Sequence, residues 1–184
     1  MISTTKTYLL NLSVFLSSFL YANEAVTVQG HSYPIRISAH DVEWKLAGTE
    51  HFKYKVFFSV FTAAYYRQVD GGGEKLIFTY TRDLKAADLS KQSMNHLEET
   101  NDPTTLATYK ELTDKIQAAY VNVQENDSYA VTSVPGKGTW LHLNEQEVFF
   151  SENAEFGDWY LSIWLGDPPI SESLKQALVK EESS

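Results

Sequence analysis

Arg82 is the charged residue whose position best suits a chemical role. It follows the apolar segment Lys75–Thr81, stands near Tyr80 and directly precedes Asp83. An arginine at the end of a buried strand presents a planar fork of N–H donors that suits a carboxylate ligand. The alternative is that Arg82 pairs with Asp83 or with another acid at the start of the next helix, and the sequence favours this alternative.

The histidines form no local metal-binding pattern. The chain has five of them, and none are spaced i, i+4 on a predicted helix or belong to an HExxH motif. His31, His40 and His51 are able to meet through a sheet, but ordinary surface or turn positions are the favoured interpretation. No cysteine is present, which excludes disulfides, thiolate zinc sites and cysteine nucleophiles. We therefore predict neither a metal ion nor a cofactor.

The common catalytic and phosphate-binding motifs are absent from the sequence. It contains no Gly-x-Ser-x-Gly elbow, phosphate loop or Rossmann glycine pattern, and Gly71–Gly73 are better placed for a hairpin turn. Fifteen basic residues stand against 24 acidic ones, and the formal net charge is −9. This balance disfavours nucleic acids and anionic membranes as partners, because both select for basic surfaces.

The first residues of the chain have the pattern of a secretory signal peptide. Lys6 precedes an uncharged run at positions 8–21, and Ala22 follows the run. The alternative is a membrane anchor, but the run is shorter than the ~20 apolar residues that a span needs. We predict a signal peptide at 1–22 and one domain at 23–184, with a periplasmic or secreted location and no membrane span after cleavage.

The predicted elements place these residues around one long strand. Tyr54–Tyr66 is predicted as a strand that is apolar on both faces, which requires a covering layer on each side. Two helices follow the next strand, and Asp102 and Pro103 are suited to begin the second of them. Strands at Ser128–Val134 and Thr139–Leu143 and two final helices complete an α+β domain with a mostly antiparallel sheet.

Four segments together resemble bacterial chalcone isomerase-like proteins. They are VFTAAYY, YTRDLKAADLSKQ, AVTSVPGKGTWLHLN and, most specifically, IWLGDPPISESLKQAL. The resemblance extends from about Val26 to Lys180. It implies the chalcone isomerase fold, an open-faced β-sandwich with a layer of helices on a large sheet and a ligand pocket between them. In the wider family, plant enzymes close a chalcone into a flavanone, and non-enzymatic members bind fatty acids through an arginine and a tyrosine.

The resemblance also indicates which polar groups of the plant enzymes are changed. Phe61 stands where the strand threonine is expected, and Ile163 stands where a hydroxyl is expected near the last loop. Each lost donor would remove about 2–4 kcal/mol of transition-state stabilisation. Lys53 is the nearest counterpart of the arginine and lacks its fork of donors. Asn95 is the one polar group that matches. Because two donors are lost, the resemblance disfavours the flavonoid reaction.

Three hypotheses for the function follow. The first is a non-catalytic binder of a small apolar ligand such as a fatty or aromatic acid. The second is an isomerase or intramolecular lyase acting on an unknown substrate. The third is a structural envelope protein whose aromatic residues only fill a core. The sequence leaves the oligomeric state open, and the polar contacts expected for a bound ligand are Lys53, Tyr66, Tyr80 and Arg82.

Overall fold

Residues 24–54 and 58–180 are described by the computed structural model of the protein. The predicted signal peptide at 1–22 lies outside these residues. Positions 55–57, near the beginning of the predicted long strand, and 181–184, at the end of the predicted domain, also lie outside them.

A seven-stranded antiparallel sheet forms the centre of the described chain, in the order β3-β4-β5-β6-β7-β8-β9. Each strand pairs with the next one in sequence, so every connection joins neighbours. Two further strands, β1 and β2, form a separate hairpin. The strands are β1 Ala25–Val28, β2 His31–Pro34, β3 Arg36–Ala39, β4 Val42–Tyr54, β5 Phe58–Gln68, β6 Glu74–Tyr80, β7 Ser128–Val134, β8 Gly138–Leu143 and β9 Gln146–Ser151.

Four helices pack on one face of the large sheet: α1 Ala86–Thr100, α2 Pro103–Ala118, α3 Ala154–Leu165 and α4 Glu172–Leu178. The Asp102 side chain accepts hydrogen bonds from the first N–H groups of α2, as the Asp-Pro pair predicted. Gly166 follows the last residue of α3, and the Ser171 side chain caps α4. The predicted α+β architecture is confirmed.

The central strands are buried on both faces. From Thr62 to Tyr66 every residue of β5 is buried. Phe61, Ala63 and Tyr65 belong to the hydrophobic core beneath the helices. Ala64 and Tyr66 belong to a second core that includes Tyr33 of the β1–β2 hairpin. We call these two sides of the large sheet the helix face and the hairpin face.

The prediction of one strand over Tyr54–Tyr66 is wrong at its beginning. Tyr54 is the last residue of β4 and pairs with Phe58 at the start of β5, so the chain reverses between them. Tyr54 is 57% exposed and Phe58 is 56% exposed, so the two paired residues at this end of the hairpin lie largely in solvent. The continuous apolar pattern conceals the reversal, because no glycine or proline marks it.

Helix α3 approaches the sheet most closely at Gly157. A Cβ atom at this position would lie 2.7 Å from Cβ of Ser133 and would also meet the Thr139 hydroxyl. Because glycine inside a helix is about 1 kcal/mol less favourable than alanine, this approach gives a physical reason for its presence.

We predict that Gly157→Ala destabilises the protein by about 1–3 kcal/mol, since the added methyl group must push α3 away from β7 and β8. Gly72→Ala is the matched control, because a Cβ there would meet only Pro135 at 3.5 Å. Urea unfolding of both variants measures the difference. Equal stability of Gly157→Ala and the control would contradict close packing at this point.

Candidate functional site

The interface between the sheet and the helices is rich in tyrosine. Tyr80 of β6, Tyr129 of β7 and Tyr160 of α3 are all buried there. The ring of Tyr129 packs edge-on against Tyr80, with centroids 6.3 Å apart, and against Tyr120 at 4.9 Å. Four hydroxyl-bearing rings from different elements are therefore gathered in one apolar layer.

Hydrogen bonds connect most of these hydroxyls. The Tyr160 hydroxyl accepts from Nε2 of Gln117 at 3.1 Å and lies 3.1 Å from the Tyr120 hydroxyl. The Tyr129 hydroxyl accepts from the backbone N–H of Val121 at 2.9 Å. Gln117 Oε1, which is buried, has no hydrogen-bond partner among the described residues. The cluster is thus polar at its centre although its walls are apolar.

Burial raises the pKa of these phenols further above neutral pH. It raises the pKa of Tyr160 to about 12, even though hydrogen bonds from Tyr120, Ser93 and Gln117 act in the opposite direction. Burial also raises the pKa of Tyr80 well above its usual value, and the neighbouring Tyr129 and Tyr160 add to the effect. At neutral pH these groups therefore offer hydroxyl donors and no negative charge.

An open cleft of about 380 Å³ lies at one edge of the sheet, where the end of β4 meets the start of α4. Lys53 contributes a cation to the cleft, and Phe52 contributes an apolar wall. Burial lowers the pKa of His51, the charge of Lys53 lowers it further, and Glu50 opposes both effects. The cleft is lined by Glu50, His51, Phe52, Lys53 and Ser173.

A column of aromatic rings connects this cleft with the tyrosine layer. Phe52 stacks on Phe61, with ring centroids 4.9 Å apart. Phe61 in turn packs edge-on against Phe78 at 5.1 Å and Tyr80 at 6.4 Å. Phe52 and Phe61 are both half-buried, so they lie between the solvent-exposed cleft and the buried interior.

A second cavity of about 220 Å³ lies between α1, α2 and Trp159 of α3. None of the predicted site residues lines it. Its one lysine, Lys110, already pairs with Asp114 at 2.7 Å, so its charge is neutralised within the helix. The cleft with Lys53 is therefore better suited to an anionic ligand than this cavity.

Four of the predicted site residues lie on or near the path from the cleft to the helix face. Lys53 is exposed in the cleft, Phe61 is in the aromatic column, and Tyr80 is buried at its inner end. Ile163 of α3 is fully buried in the same core. Of these four, Phe61 and Tyr80 are in direct ring contact.

The other three predicted residues lie elsewhere. Tyr66 points to the hairpin face, where its hydroxyl donates to the carbonyl of Pro34 at 3.0 Å. Arg82 is exposed in the connection between β6 and α1, and Asn95 is exposed on α1. Asp83, the acid that follows Arg82 in the sequence, accepts a hydrogen bond from the backbone N–H of Glu125.

The sequence analysis missed His51 and Phe52 as cleft residues. They precede Lys53 in the segment that was assigned to no strand, and the register of β4 places Phe52 opposite Phe61. Nε2 of His51 lies 2.7 Å from the Ser59 hydroxyl, which lies 2.6 Å from Thr81 Oγ1.

His31, His40 and His51 do not converge on one point. His31 contacts Thr62, whereas His40 stacks on Trp140. Within residues 24–54 and 58–180, no group of three His, Cys, Asp or Glu side chains is arranged to hold a metal ion. No helix in those ranges is both long and apolar enough to cross a membrane.

The architecture defines a class of protein in which a large antiparallel sheet carries helices on one face and a small hairpin on the other. The chalcone isomerase-like family model matches residues 25–179, and the chain belongs to this family. Among solved structures, the chain is similar to a fatty-acid binding protein of Arabidopsis thaliana, with a TM-score of 0.66 and 12% identity. The match covers 85% of this chain and 96% of the plant chain. No curated protein matches the sequence.

We predict that the protein loses stability between pH about 10 and 12. The raised pKa of Tyr160 favours its neutral form in the folded state, so this contribution is complete below the unfolded pKa of about 10 and is lost as the pH rises through about 12. Urea unfolding across this range should give a smaller pH slope for Tyr160→Phe, by up to about one proton. The exposed Tyr54→Phe is the control, and equal slopes in both variants would contradict the assignment.

Proposed function

We propose that the protein is a non-catalytic binder of an apolar carboxylate, such as a fatty or aromatic acid, and that the ligand enters through the cleft at the end of β4. The observation that carries this proposal is that Lys53 and Phe52 line the same cleft and that Phe52 begins an aromatic column that leads inward. A cation next to apolar walls matches the two parts of such a ligand, the charged head and the hydrophobic tail.

The carboxylate head is placed at Lys53. This side chain is exposed, and no carboxylate among residues 24–54 and 58–180 forms an ion pair with it. An ammonium group binds a carboxylate as a point charge without the two-point geometry of arginine. The head group is therefore held weakly and in more than one orientation, and most of the affinity must come from the tail.

The tail is placed along Phe52 and Phe61. Both rings are half-buried and stacked, and each aromatic ring offers a large apolar contact area. The interior beyond them is already filled by Phe78 and Tyr80. A long tail therefore requires the rings of Phe52 and Phe61 to move apart, whereas a short acid would occupy the cleft alone.

The solved neighbour is described as a fatty-acid binding protein, and its similarity to this chain is one of fold. That similarity supports a binding role. Phe61 and Ile163 also favour binding over catalysis, because neither supplies a donor to a reacting oxygen.

We predict that Lys53→Met weakens laurate binding roughly 2- to 5-fold, since an exposed ion pair contributes about 1 kcal/mol or less. Isothermal titration calorimetry of the wild type and the variant measures this change. Lys91→Met, on the exposed side of α1, is the control and should leave the affinity unchanged. Wild-type protein that does not bind laurate would overturn the proposed function, and unchanged binding by Lys53→Met would overturn the placement of the head group.

We also propose that the protein acts outside the cytoplasm. The support is the basic start at Lys6 followed by the uncharged run and Ala22. Expression of the full chain in a bacterium should yield a product that begins at Asn23, as N-terminal sequencing of the periplasmic fraction would show. Recovery of the uncleaved chain in the cytoplasm would contradict export.

A further inference from the structure

A lysine is buried on the hairpin face, away from the cleft. Lys75 of β6 is 8% exposed, and its Nζ donates to Thr132 Oγ1 at 3.2 Å. An ammonium group has three donors, and a buried charge is costly unless a partner compensates it. Among the described residues, no carboxylate forms an ion pair with Lys75.

Two histidines approach the same region from other elements. Thr132 of β7 pairs with Lys75 of β6 on one side and with Trp140 of β8 on the other. His142 is two residues after Trp140 in β8, so its side chain lies on the same face of the sheet. His40, from the turn between β3 and β4, stacks on Trp140 at 4.2 Å and lies 5.2 Å from the His142 ring. His142 Nδ1 is buried and has no hydrogen-bond partner within the described ranges.

Lys75 carries the buried positive charge of the cluster. Burial lowers the pKa of His40 to about 4, and the charge of Lys75 lowers it further, so His40 is neutral at pH 7. Burial and Lys75 also lower the pKa of His142. Burial lowers the pKa of Lys75 itself to about 8, with Glu145 opposing the effect. The charged or titratable groups around the cluster are Asp41, Lys137, Glu145 and Glu147.

We propose that Lys75 and His142 form a binding site for a small monocarboxylate on the hairpin face. One carboxylate would accept hydrogen bonds both from the unused donors of Lys75 and from Nδ1–H of His142, which would satisfy the buried groups that lack partners. Lys75 is the one buried ammonium of the cluster, and the nearby Lys137 donates to the carbonyl of His40 at 2.8 Å, so the buried charge matches a monoanion better than a doubly charged phosphate. The aromatic rings of Trp140 and His40 provide a wall beside it.

This site is independent of the proposed function, because the cleft with Lys53 and the aromatic column lie at the end of β4 and on the helix face. Lys75 and Trp140 line the opposite side of the sheet, where Trp140 belongs to the second core. Binding at the two sites can therefore be tested separately in any experiment that observes individual side chains.

The test is an NMR titration of the purified protein with sodium acetate at constant ionic strength, following the side-chain signals of Lys75 and His142. Saturable shifts of both signals, and a higher pKa of Lys75 in acetate, are the expected results. Sodium chloride should produce neither effect. Signals that do not move, or that move equally with chloride, would overturn the site. Equal saturation by sodium phosphate would overturn the preference for a monocarboxylate.

The variant Lys75→Met should weaken acetate binding about tenfold or more, because it removes the buried charged donor. It should keep its fold, since replacing an uncompensated buried charge by an apolar side chain of similar size is often neutral or stabilising. Lys91→Met is the exposed control and should bind acetate like the wild type. Unchanged acetate affinity in Lys75→Met would contradict the proposal, and the wild-type titration decides the question independently of this variant.

Discussion

Burial of β5 and β6 on both faces is the constraint on which the rest of the structure depends. Successive side chains of a strand point to opposite sides, so a strand covered on both sides must fill two separate cores. The helix face receives Phe61, Ala63, Tyr65, Leu76, Phe78 and Tyr80, whereas the hairpin face receives Thr62, Ala64, Tyr66, Lys75, Ile77 and Thr79.

The two faces consequently differ in chemistry. The helix face gathers tyrosines within a mainly aromatic layer. On the hairpin face, the Tyr33 hydroxyl donates to Thr79 at 3.0 Å and lies 2.6 Å from Thr62 Oγ1, which ties the small hairpin to the sheet. The cleft occurs where the double covering stops, at the exposed end of the β4–β5 hairpin. The centre of the sheet is buried on both faces, whereas at this end Phe52 and Lys53 line a cleft that is open to solvent.

Much of the fold follows from local patterns in the sequence. The Asp102–Pro103 pair begins α2, and the spacing of Phe156, Trp159, Tyr160 and Ile163 predicts α3, because these signals depend on a few neighbouring residues. The alternation over Thr62–Tyr66 predicts the two buried faces. The reversal between Tyr54 and Phe58 was not predictable in this way, since an unbroken run of aromatic residues gives the same pattern for one strand as for the tip of a hairpin.

The candidate site was predictable only in part, for a related reason. Lys53 and Phe61 were identified through the family resemblance, but Tyr66 was grouped with them although its parity in β5 places it on the other face. His51 and Phe52 depend on the register of β4, which includes irregularities after Leu46 and Phe52. The cluster around Lys75 depends on a contact of β6 with β7 and on contacts of the β3–β4 turn with β8, and these segments are distant in sequence, so no local pattern indicates it.

The most direct test of the central claim is to locate a bound fatty acid by nuclear Overhauser effects from ¹³C-labelled laurate. The account predicts contacts from the laurate chain to the rings of Phe52 and Phe61, with the carboxyl end near Lys53. Contacts confined to the cavity between α1 and α2, or to side chains of the hairpin face, would contradict it.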